Sequence, residues 1–170
     1  KPESLEKAIT KKTALVSIMY ANNEIGTIQP IKKLAQITHA QGAKFHTDAV
    51  QAINYLDCNV DKLGVDYLTL SAHKFYGPKG VGVLYKRQQA PLGEYMSGGA
   101  QENHLRAGTL NVPGIVGLGE AISITAREQK KRNQHALNLR ERLLNGLKNE
   151  VPEIIVNGSL AKRLPNNLNI

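Results

Sequence analysis

Four short apolar runs, rich in residues that favour β-strands, alternate with a helical pattern and polar turns, and this alternation constrains the fold most. The runs occupy residues 14–20, 43–47, 65–70 and 81–85. Between the first two, apolar residues recur at helical spacing after Pro30, and Gly42 is placed to end that helix. Strand, helix and strand in this order predict an α/β architecture with a mostly parallel sheet.

The sequence pattern of the second half of the chain predicts a long loop followed by a long helix. Residues 86–113 contain repeated glycines and prolines, and a loop of this length is usually functional or held by a partner. The helical pattern that follows has two apolar stripes, which the polar residues 127–134 separate. We therefore predict a domain junction there, with one domain at residues 1–126 and a linking helix that opens a second at residues 127–170. A further short strand is predicted at residues 154–156.

Composition excludes several classes of protein. The 170 residues, of which 41% are hydrophobic, suit one globular domain or one domain with part of another. No apolar run is long enough to span a bilayer. The single cysteine, Cys58, excludes disulfides and cysteine metal clusters within the chain. A reducing, cytoplasmic location is the default expectation.

Positive charge is concentrated in one segment. The net charge is +8. Residues 127–148 hold seven cations and two glutamates, so this segment carries five of the eight excess positive charges. A solvated helix face is the ordinary explanation of such a segment, and contact with RNA or with an acidic protein is the alternative. No aromatic residue lies among these charges, so a stacking surface for single-stranded nucleic acid is not indicated.

Polar residues suited to cofactor chemistry follow two of the predicted strands. Asp48 and Gln51 follow the second strand, and Ser71, His73 and Lys74 follow the third. The carboxyl ends of parallel strands meet at one edge of a sheet, where ligands collect. A lysine that forms an imine and a carboxylate that pairs with a pyridine nitrogen are typical of pyridoxal 5'-phosphate (PLP) enzymes. Each residue alone has an ordinary explanation, such as a surface turn or a helix cap, but together they favour a cofactor site.

Two motifs around these residues carry a resemblance to a known family. The motifs are HTDAVQ at residues 46–51 and SAHKFYGPKG at residues 71–80. They resemble the corresponding segments of the cysteine desulfurases, members of the class V aminotransferase group. Further segments fit the same family, at residues 22–26, 98–99, 101–102 and 106–109.

The resemblance implies roles for three residues in cofactor chemistry. Lys74 would bind the PLP aldehyde covalently and later act as the base that transfers a proton. Asp48 would pair with the pyridinium nitrogen. Gln51 would contact the phenolic oxygen of the ring.

The resemblance also implies roles in holding the phosphate and the substrate. Ser71 and His73 would bind the phosphate group. Thr109 would reach the phosphate bound by the neighbouring subunit of a homodimer, which gives the long loop a purpose. Asn23 would lie near the substrate carboxylate and the cofactor ring.

The fold implied by the resemblance is part of the PLP-binding large domain of a PLP transferase of the aspartate-aminotransferase-like type at residues 1–126, followed at residues 127–170 by the linking helix and the start of a small C-terminal α+β domain. The implied reaction converts L-cysteine to L-alanine and leaves sulfur as a persulfide on an enzyme cysteine, for iron–sulfur cluster assembly or tRNA thiolation. The implied partners are L-cysteine, a second copy of the chain and a sulfur-acceptor or scaffold protein. Another PLP enzyme of the same fold, such as a selenocysteine lyase or an aminotransferase, and a non-catalytic dimerisation or binding fragment are the alternatives.

The length of the chain departs from the family. Family members are more than twice as long, so the resemblance implies a fragment without the N-terminal third and the C-terminal part. The C-terminal part would supply the nucleophilic cysteine and the arginine that binds the substrate carboxylate, and the N-terminal third a phosphate-binding cup and a histidine stacked on the cofactor ring. Cys58 does not match the nucleophile, and we expect it to be structural. We therefore predict that the 170-residue chain alone is inactive as a desulfurase.

Overall fold

The computed structural model describes residues 1–170, and its strands follow the predicted alternation within two residues. The strands are β1 (Leu15–Met19), β2 (Lys44–Asp48), β3 (Tyr67–Ser71) and β4 (Gly82–Lys86). The helices are α1 (Pro2–Ala8), α2 (Ile31–Ala40), α3 (Val60–Leu63) and α4 (Val112–Glu150). Two short 3₁₀ turns lie at Ala72–Phe75 and Gln101–His104.

The four strands form one sheet in the order β1-β2-β3-β4. β1, β2 and β3 are parallel, and β4 runs antiparallel to β3, which confirms the mostly parallel sheet. Parallel neighbours need a crossover, which α2 supplies between β1 and β2. Asp48 of β2 lies beside Thr69 of β3, and Ser71 lies beside Gly82. A Cβ atom at Gly82 would lie 2.8 Å from the carbonyl oxygen of Leu70, so this close strand pair requires glycine.

One face of the sheet forms the main core with α2 and α3. Phe45 and Thr47 of β2 are buried, whereas the alternating residues of β2 are only half-buried on the opposite, open face. Burial of each large apolar side chain contributes roughly 1.5–3 kcal/mol. The buried members of this core are Ile31, Leu34, Ala35, Phe45, Ala49, Ala52, Leu63, Val65 and Leu68.

The helix α2 lies where the spacing of apolar residues predicts it. Ile31, Leu34, Ala35 and Thr38 fall on one face, and all four are buried. The hydroxyl of Thr38 donates to the carbonyl oxygen of Leu34 at 2.9 Å, which satisfies a polar group in the core. Gly42, with a φ of +81°, turns the chain just after the helix ends.

The helix α4 is a single helix of 39 residues. Asn111 caps its start by accepting a hydrogen bond from the N–H of Gly114 at 3.1 Å. Buried positions of α4 lie in its first four turns, up to Thr125, and Leu144 is the single buried residue beyond them. The second half of the helix therefore leaves the core of the sheet. None of the helices, α4 included, combines the length and the hydrophobicity that a membrane span requires.

The polar stretch at residues 127–134 does not interrupt α4, since the helix continues through it. The two apolar stripes belong to one helix whose first part packs on the sheet and whose second part exposes leucines such as Leu139 and Leu143. The division into residues 1–126 and 127–170 stays a prediction.

The segment after α4 returns to the turn at residues 22–28 without forming a strand. The N–H of Leu164 donates to the carbonyl oxygen of Gly26 at 2.9 Å, and Thr27 pairs with Arg163 in an isolated bridge. The strand predicted at residues 154–156 is wrong, because no strand of the sheet lies against that segment to complete a ladder.

Candidate functional site

Predicted site residues from two strands meet at one edge of the sheet. Asp48 is the last residue of β2, and Ser71 is the last residue of β3. The two strands are neighbours, with Asp48 beside Thr69, two residues before Ser71. Since adjacent strands lie about 4.8 Å apart, the turn that carries Lys74 begins next to the strand end that carries Asp48. This edge is the carboxyl edge of the parallel strands.

Asp48 is held rigidly by its backbone. Its carbonyl oxygen accepts from the N–H of Tyr20 at 2.8 Å, and the next N–H, of Ala49, donates to the carbonyl oxygen of Thr69 at 3.0 Å. One oxygen of the Asp48 carboxylate accepts from the N–H of Val50 at 2.9 Å. The second oxygen of this half-buried carboxylate accepts no hydrogen bond within the chain and is available to another donor.

A row of hydrogen-bonded side chains crosses the open face of the sheet beside Asp48. Nδ1 of His46 lies 2.7 Å from Oγ of Ser17, and Nε2 lies 3.2 Å from Oγ1 of Thr69. Burial lowers the pKa of His46, and the nearby Asp48 opposes this shift only in part. The imidazole is therefore neutral near pH 7. Sequence reasoning used His46 only as part of a motif, although its spacing of two residues from Asp48 places both on one face.

The turn that carries Lys74 is anchored by its ends and exposed at its centre. Ala72 and Phe75 are buried against Leu118 and Ala121 of α4 in a second, smaller core. His73 and Lys74, between them, are exposed. This arrangement presents the lysine amine on a fixed backbone, which suits a group that must meet a ligand in a defined place.

Gly77 allows this turn to pack closely against α4. A Cβ atom there would lie 3.0 Å from Cβ of Ala72 and 3.2 Å from Cβ of Ala121. The N–H of Gly77 donates to the carbonyl oxygen of Ala72 at 2.9 Å and closes the turn. The residue before it, Tyr76, has a φ of +67°, a conformation that is costly for a residue with a side chain.

Ser71 and His73 form a pair beside the lysine. Oγ of Ser71 lies 2.9 Å from Nδ1 of His73, so the hydroxyl and the imidazole are already oriented towards one another. Gln51 lies in the turn that follows Asp48 and is half-buried. These three residues are thus on the same two connections as Asp48 and Lys74.

The structure does not join the other two predicted residues to this group. Asn23 is exposed in the turn at residues 22–26, and Thr109 is exposed in the loop before α4. Neither side chain makes a hydrogen bond within the chain, whereas the neighbouring Asn22 accepts from the N–H groups of Glu24 and Ile25 at 2.9 Å each. The roles of Asn23 and Thr109 stay predictions.

Cys58 has the properties of a structural residue. It packs against the main core, and burial raises the pKa of its thiol to about 12. A thiol with so high a pKa stays protonated near pH 7, and the protonated thiol is a poor nucleophile. The expectation that Cys58 is structural agrees with this environment.

Ion pairs within α4 account for part of its positive charge. Arg127 and Arg132 both approach Glu128, at 3.8 and 2.7 Å, and Arg140 approaches Glu141 at 2.7 Å. Three of the seven cations of residues 127–148 are therefore paired. Arg140 is only 9% exposed and also donates to the carbonyl oxygen of Leu164 at 3.1 Å, so this cation holds the segment after α4 and is not part of a solvated face.

Known proteins similar to this chain agree on one family. The sequence profile of the family described as aminotransferase class-V matches residues 1–170. The cysteine desulfurase IscS of Dictyoglomus turgidum is 48% identical over 168 residues, which are 99% of this chain and 43% of that protein. A solved structure of a NifS-like protein superposes with a TM-score of 0.93 and 45% identity, covering 99% of this chain and 46% of the other. The structure described as SspA in complex with cysteine has a TM-score of 0.69 and 44% identity, covering 72% of this chain and 36% of the other.

The chain spans less than half the length of these relatives. Within that span the resemblance to the cysteine desulfurases and the predicted fold class are confirmed. The matched region contains the two strand ends with Asp48 and Lys74, and the remainder of the relatives lies outside it.

Proposed function

Because this chain belongs to the aminotransferase class-V family, we propose that the protein containing it is a PLP-dependent cysteine desulfurase. The reaction would convert L-cysteine to L-alanine and transfer the sulfur. The observation that carries the proposal is the exposed Lys74 on an anchored turn beside the strand end of Asp48. The names of the curated relatives, and the cysteine bound to the related SspA, support the choice of reaction and substrate.

The residues at this edge fit PLP. An aldehyde requires an accessible amine, and Lys74 is exposed. A pyridine nitrogen requires a carboxylate, and one oxygen of Asp48 has no partner within the chain. A phosphate requires donors, which the paired Ser71 and His73 supply. When bound, PLP supplies an electron sink for the negative charge that develops on the substrate carbon.

Each residue of the group would perform a separate task. Asp48 would hold a proton on the pyridine nitrogen, and Gln51 would orient the ring by donating to its phenolic oxygen. Ser71 and His73 would fix the phosphate. Lys74 would hold the cofactor in place and carry a proton at Nζ once the substrate has displaced it. The rigid backbone around Asp48 would keep these positions constant during the reaction.

The remaining site residues would act on the substrate and across a dimer. Asn23 would lie near the substrate carboxylate. Thr109 would contact the phosphate bound by a second copy of the chain, so the protein would act as a homodimer. Because Cys58 packs against the core and burial raises the pKa of its thiol, the thiol that receives the sulfur would belong to a part of the protein outside these 170 residues.

The wider role follows from the same relatives. We propose that the protein delivers sulfur to an acceptor or scaffold protein for iron–sulfur cluster assembly or tRNA thiolation, in the cytoplasm. The name IscS of the curated relatives supports this role.

A covalent-trapping experiment on the full-length protein tests the proposal. Borohydride reduction of the protein with PLP, followed by peptide mass mapping, should place the pyridoxyl group on Lys74. Lys79→Ala is the matched control, since Lys79 is an exposed lysine of the same motif and should not affect labelling. Alanine release from L-cysteine, with selenocysteine as the comparison substrate, then identifies the reaction. Labelling at other lysines alone, or the absence of any bound PLP, would exclude the proposed site.

A further inference from the structure

The turn that follows Asp48, at residues 49–56, is clamped by two amide side chains of α4. Nε2 of Gln129 lies 3.1 Å from the carbonyl oxygens of both Ile53 and Leu56. Nδ2 of Asn133 lies 2.8 Å from the carbonyl oxygen of Tyr55. Gln129 and Asn133 are four residues apart, so they project from the same side of the helix. Three carbonyl groups of one turn are thus fixed to α4.

Asn54, within the same turn, connects it to the turn that carries Lys74. Its side-chain Nδ2 donates to the carbonyl oxygen of Lys74 at 2.6 Å. Asn54 is only 8% exposed, and its Oδ1 has no hydrogen-bond partner. Burying an amide with one unsatisfied atom is unfavourable, so packing alone does not explain this residue.

A second contact, beside that of Asn54, holds the turn of Lys74. The guanidinium of Arg132 lies over the ring of Tyr76, 5.1 Å from its centroid. Glu128 in turn fixes Arg132 through an ion pair of 2.7 Å. Tyr76 follows Lys74 by two residues and has a positive φ, so its backbone conformation depends on contacts of this kind.

We propose that Asn54 is a positioning residue for Lys74, which fixes the turn carrying the amine relative to the strand end of Asp48. Gln129 and Asn133 hold the turn that contains Asn54, and so extend the support from α4 to the lysine. This inference rests on the proposed function, because it assigns Asn54 a role in the reaction of Lys74 with PLP.

The geometry explains why an amide is needed at position 54. The acceptor is the backbone carbonyl of Lys74, so the partner must be a donor. A carboxylate of the same shape has no N–H and would place negative charge against that carbonyl oxygen. Asn54→Asp therefore removes the contact with the least change in volume, and Asn54→Ala removes the side chain.

The test compares these variants in the full-length protein with Asn138→Ala as the matched control. Asn138 is an exposed asparagine of α4 whose side chain bonds only to Gln134. After removal of the cofactor, fresh PLP is added, and the rate of covalent attachment at Lys74 is followed by absorbance and by borohydride trapping with peptide mapping. The pH midpoint of the bound cofactor's visible absorbance is measured as well.

Asn54→Ala and Asn54→Asp should react with PLP about five- to tenfold more slowly, as expected for the loss of one hydrogen bond. Their pH midpoints should move by about half a unit or more, which a change in global stability alone would not produce. Gln129→Ala should change both quantities in the same direction, less strongly. Asn138→Ala should match the wild type.

The outcomes separate the two hypotheses. Absence of labelling at Lys74 in the wild type would refute the proposed function. Wild-type labelling at Lys74 together with unchanged rates and midpoints in the Asn54 variants would refute the positioning role and leave the function standing. If the Asn54 variants do not fold, the positioning role is tested with Gln129→Ala, which should fold because Gln129 is only half-buried on a helix. Unchanged values in that variant would overturn the proposal.

Discussion

Replacement of Asp66 by asparagine tests how the sheet is held at the edge opposite the candidate site. Asp66 directly precedes β3, and its side chain is 5% exposed. Its carboxylate accepts hydrogen bonds from the N–H of Phe45 at 2.9 Å, from Nε2 of His39 at 2.6 Å and from Nζ of Lys44 at 3.2 Å. One buried group therefore joins the end of α2 to the starts of β2 and β3.

The magnitude follows from these three contacts. Asparagine keeps the shape of the side chain but loses its charge, and its nitrogen brings donors to a place where an acceptor is needed. A hydrogen bond to a charged group contributes roughly 1.5–3 kcal/mol. Solvent weakens the hydrogen bonds from His39 and Lys44, whose side chains are 41% and 39% exposed, so these two contribute less to the free energy of unfolding. We expect Asp66→Asn to lower the free energy of unfolding by about 2–3 kcal/mol at pH 7.

The effect should depend on pH. Burial alone would raise the pKa of Asp66, but the hydrogen bonds from Phe45, His39 and Lys44 outweigh it and hold the pKa below the usual value of 3.8. A group with a lowered pKa stabilises the folded state above its unfolded-state pKa, and this contribution is lost as the pH falls through its folded-state pKa. The difference between wild type and Asp66→Asn should be complete at pH 7 and should shrink below about pH 4.

Native-state hydrogen exchange of the β2 and β3 amides in the full-length protein measures the difference in unfolding free energy between wild type and Asp66→Asn. The method does not assume that the longer chain unfolds in two states. Asp61→Asn is the matched control, because Asp61 is 78% exposed and pairs with Arg87 at 3.1 Å. An exposed pair of this kind contributes less than about 1 kcal/mol. Equal losses in the two variants, or a difference that is unchanged at pH 3, would refute the reasoning.

Three further predictions concern the candidate site and the chain as a whole. Lys74→Ala in the full-length protein should abolish alanine release from L-cysteine while some PLP stays bound noncovalently, as measured by turnover and by filtration; full activity would remove Lys74 from the mechanism. Cys58→Ala should leave alanine release within about twofold of wild type, because a half-buried thiol with a raised pKa is a poor nucleophile; a loss of turnover in the folded variant would contradict this. The 170-residue chain alone should release no alanine above the rate of free PLP, and measurable release would show that these residues suffice.

The sequence predicted the strands because their apolar runs are short, bounded by turn residues and separated by one clear helical pattern. It also predicted that Asp48 and Lys74 follow neighbouring strands, since successive parallel strands end at the same edge. The prediction needed no detail of packing. The helical spacing after Pro30 also placed Leu34 and Ala35 on one face, and both are buried.

The sequence did not predict α3, because four residues are too few to show a helical period. The helix forms through its ends: Asn59 accepts from the N–H groups of Asp61 and Lys62 at 3.0 Å each, and Gly64 terminates it with a φ of +71°. The strand predicted at residues 154–156 does not form, because a run of β-favouring residues needs a neighbouring strand to complete its hydrogen bonds. The contacts that hold the turn at residues 49–56 lie beyond sequence reasoning as well, because they join residues 20 to 78 positions apart.

The two edges of the sheet differ in how completely their carboxylates are satisfied. At the amino edge, both oxygens of Asp66 accept hydrogen bonds and the side chain is buried, so it can only hold elements together. At the carboxyl edge, one oxygen of Asp48 lacks a partner, and Lys74 nearby is exposed, so these groups can still meet a ligand. Since no residue belongs to both networks, a substitution at Asp66 should change the stability of the sheet without changing the reaction of Lys74 with PLP, provided the protein stays folded.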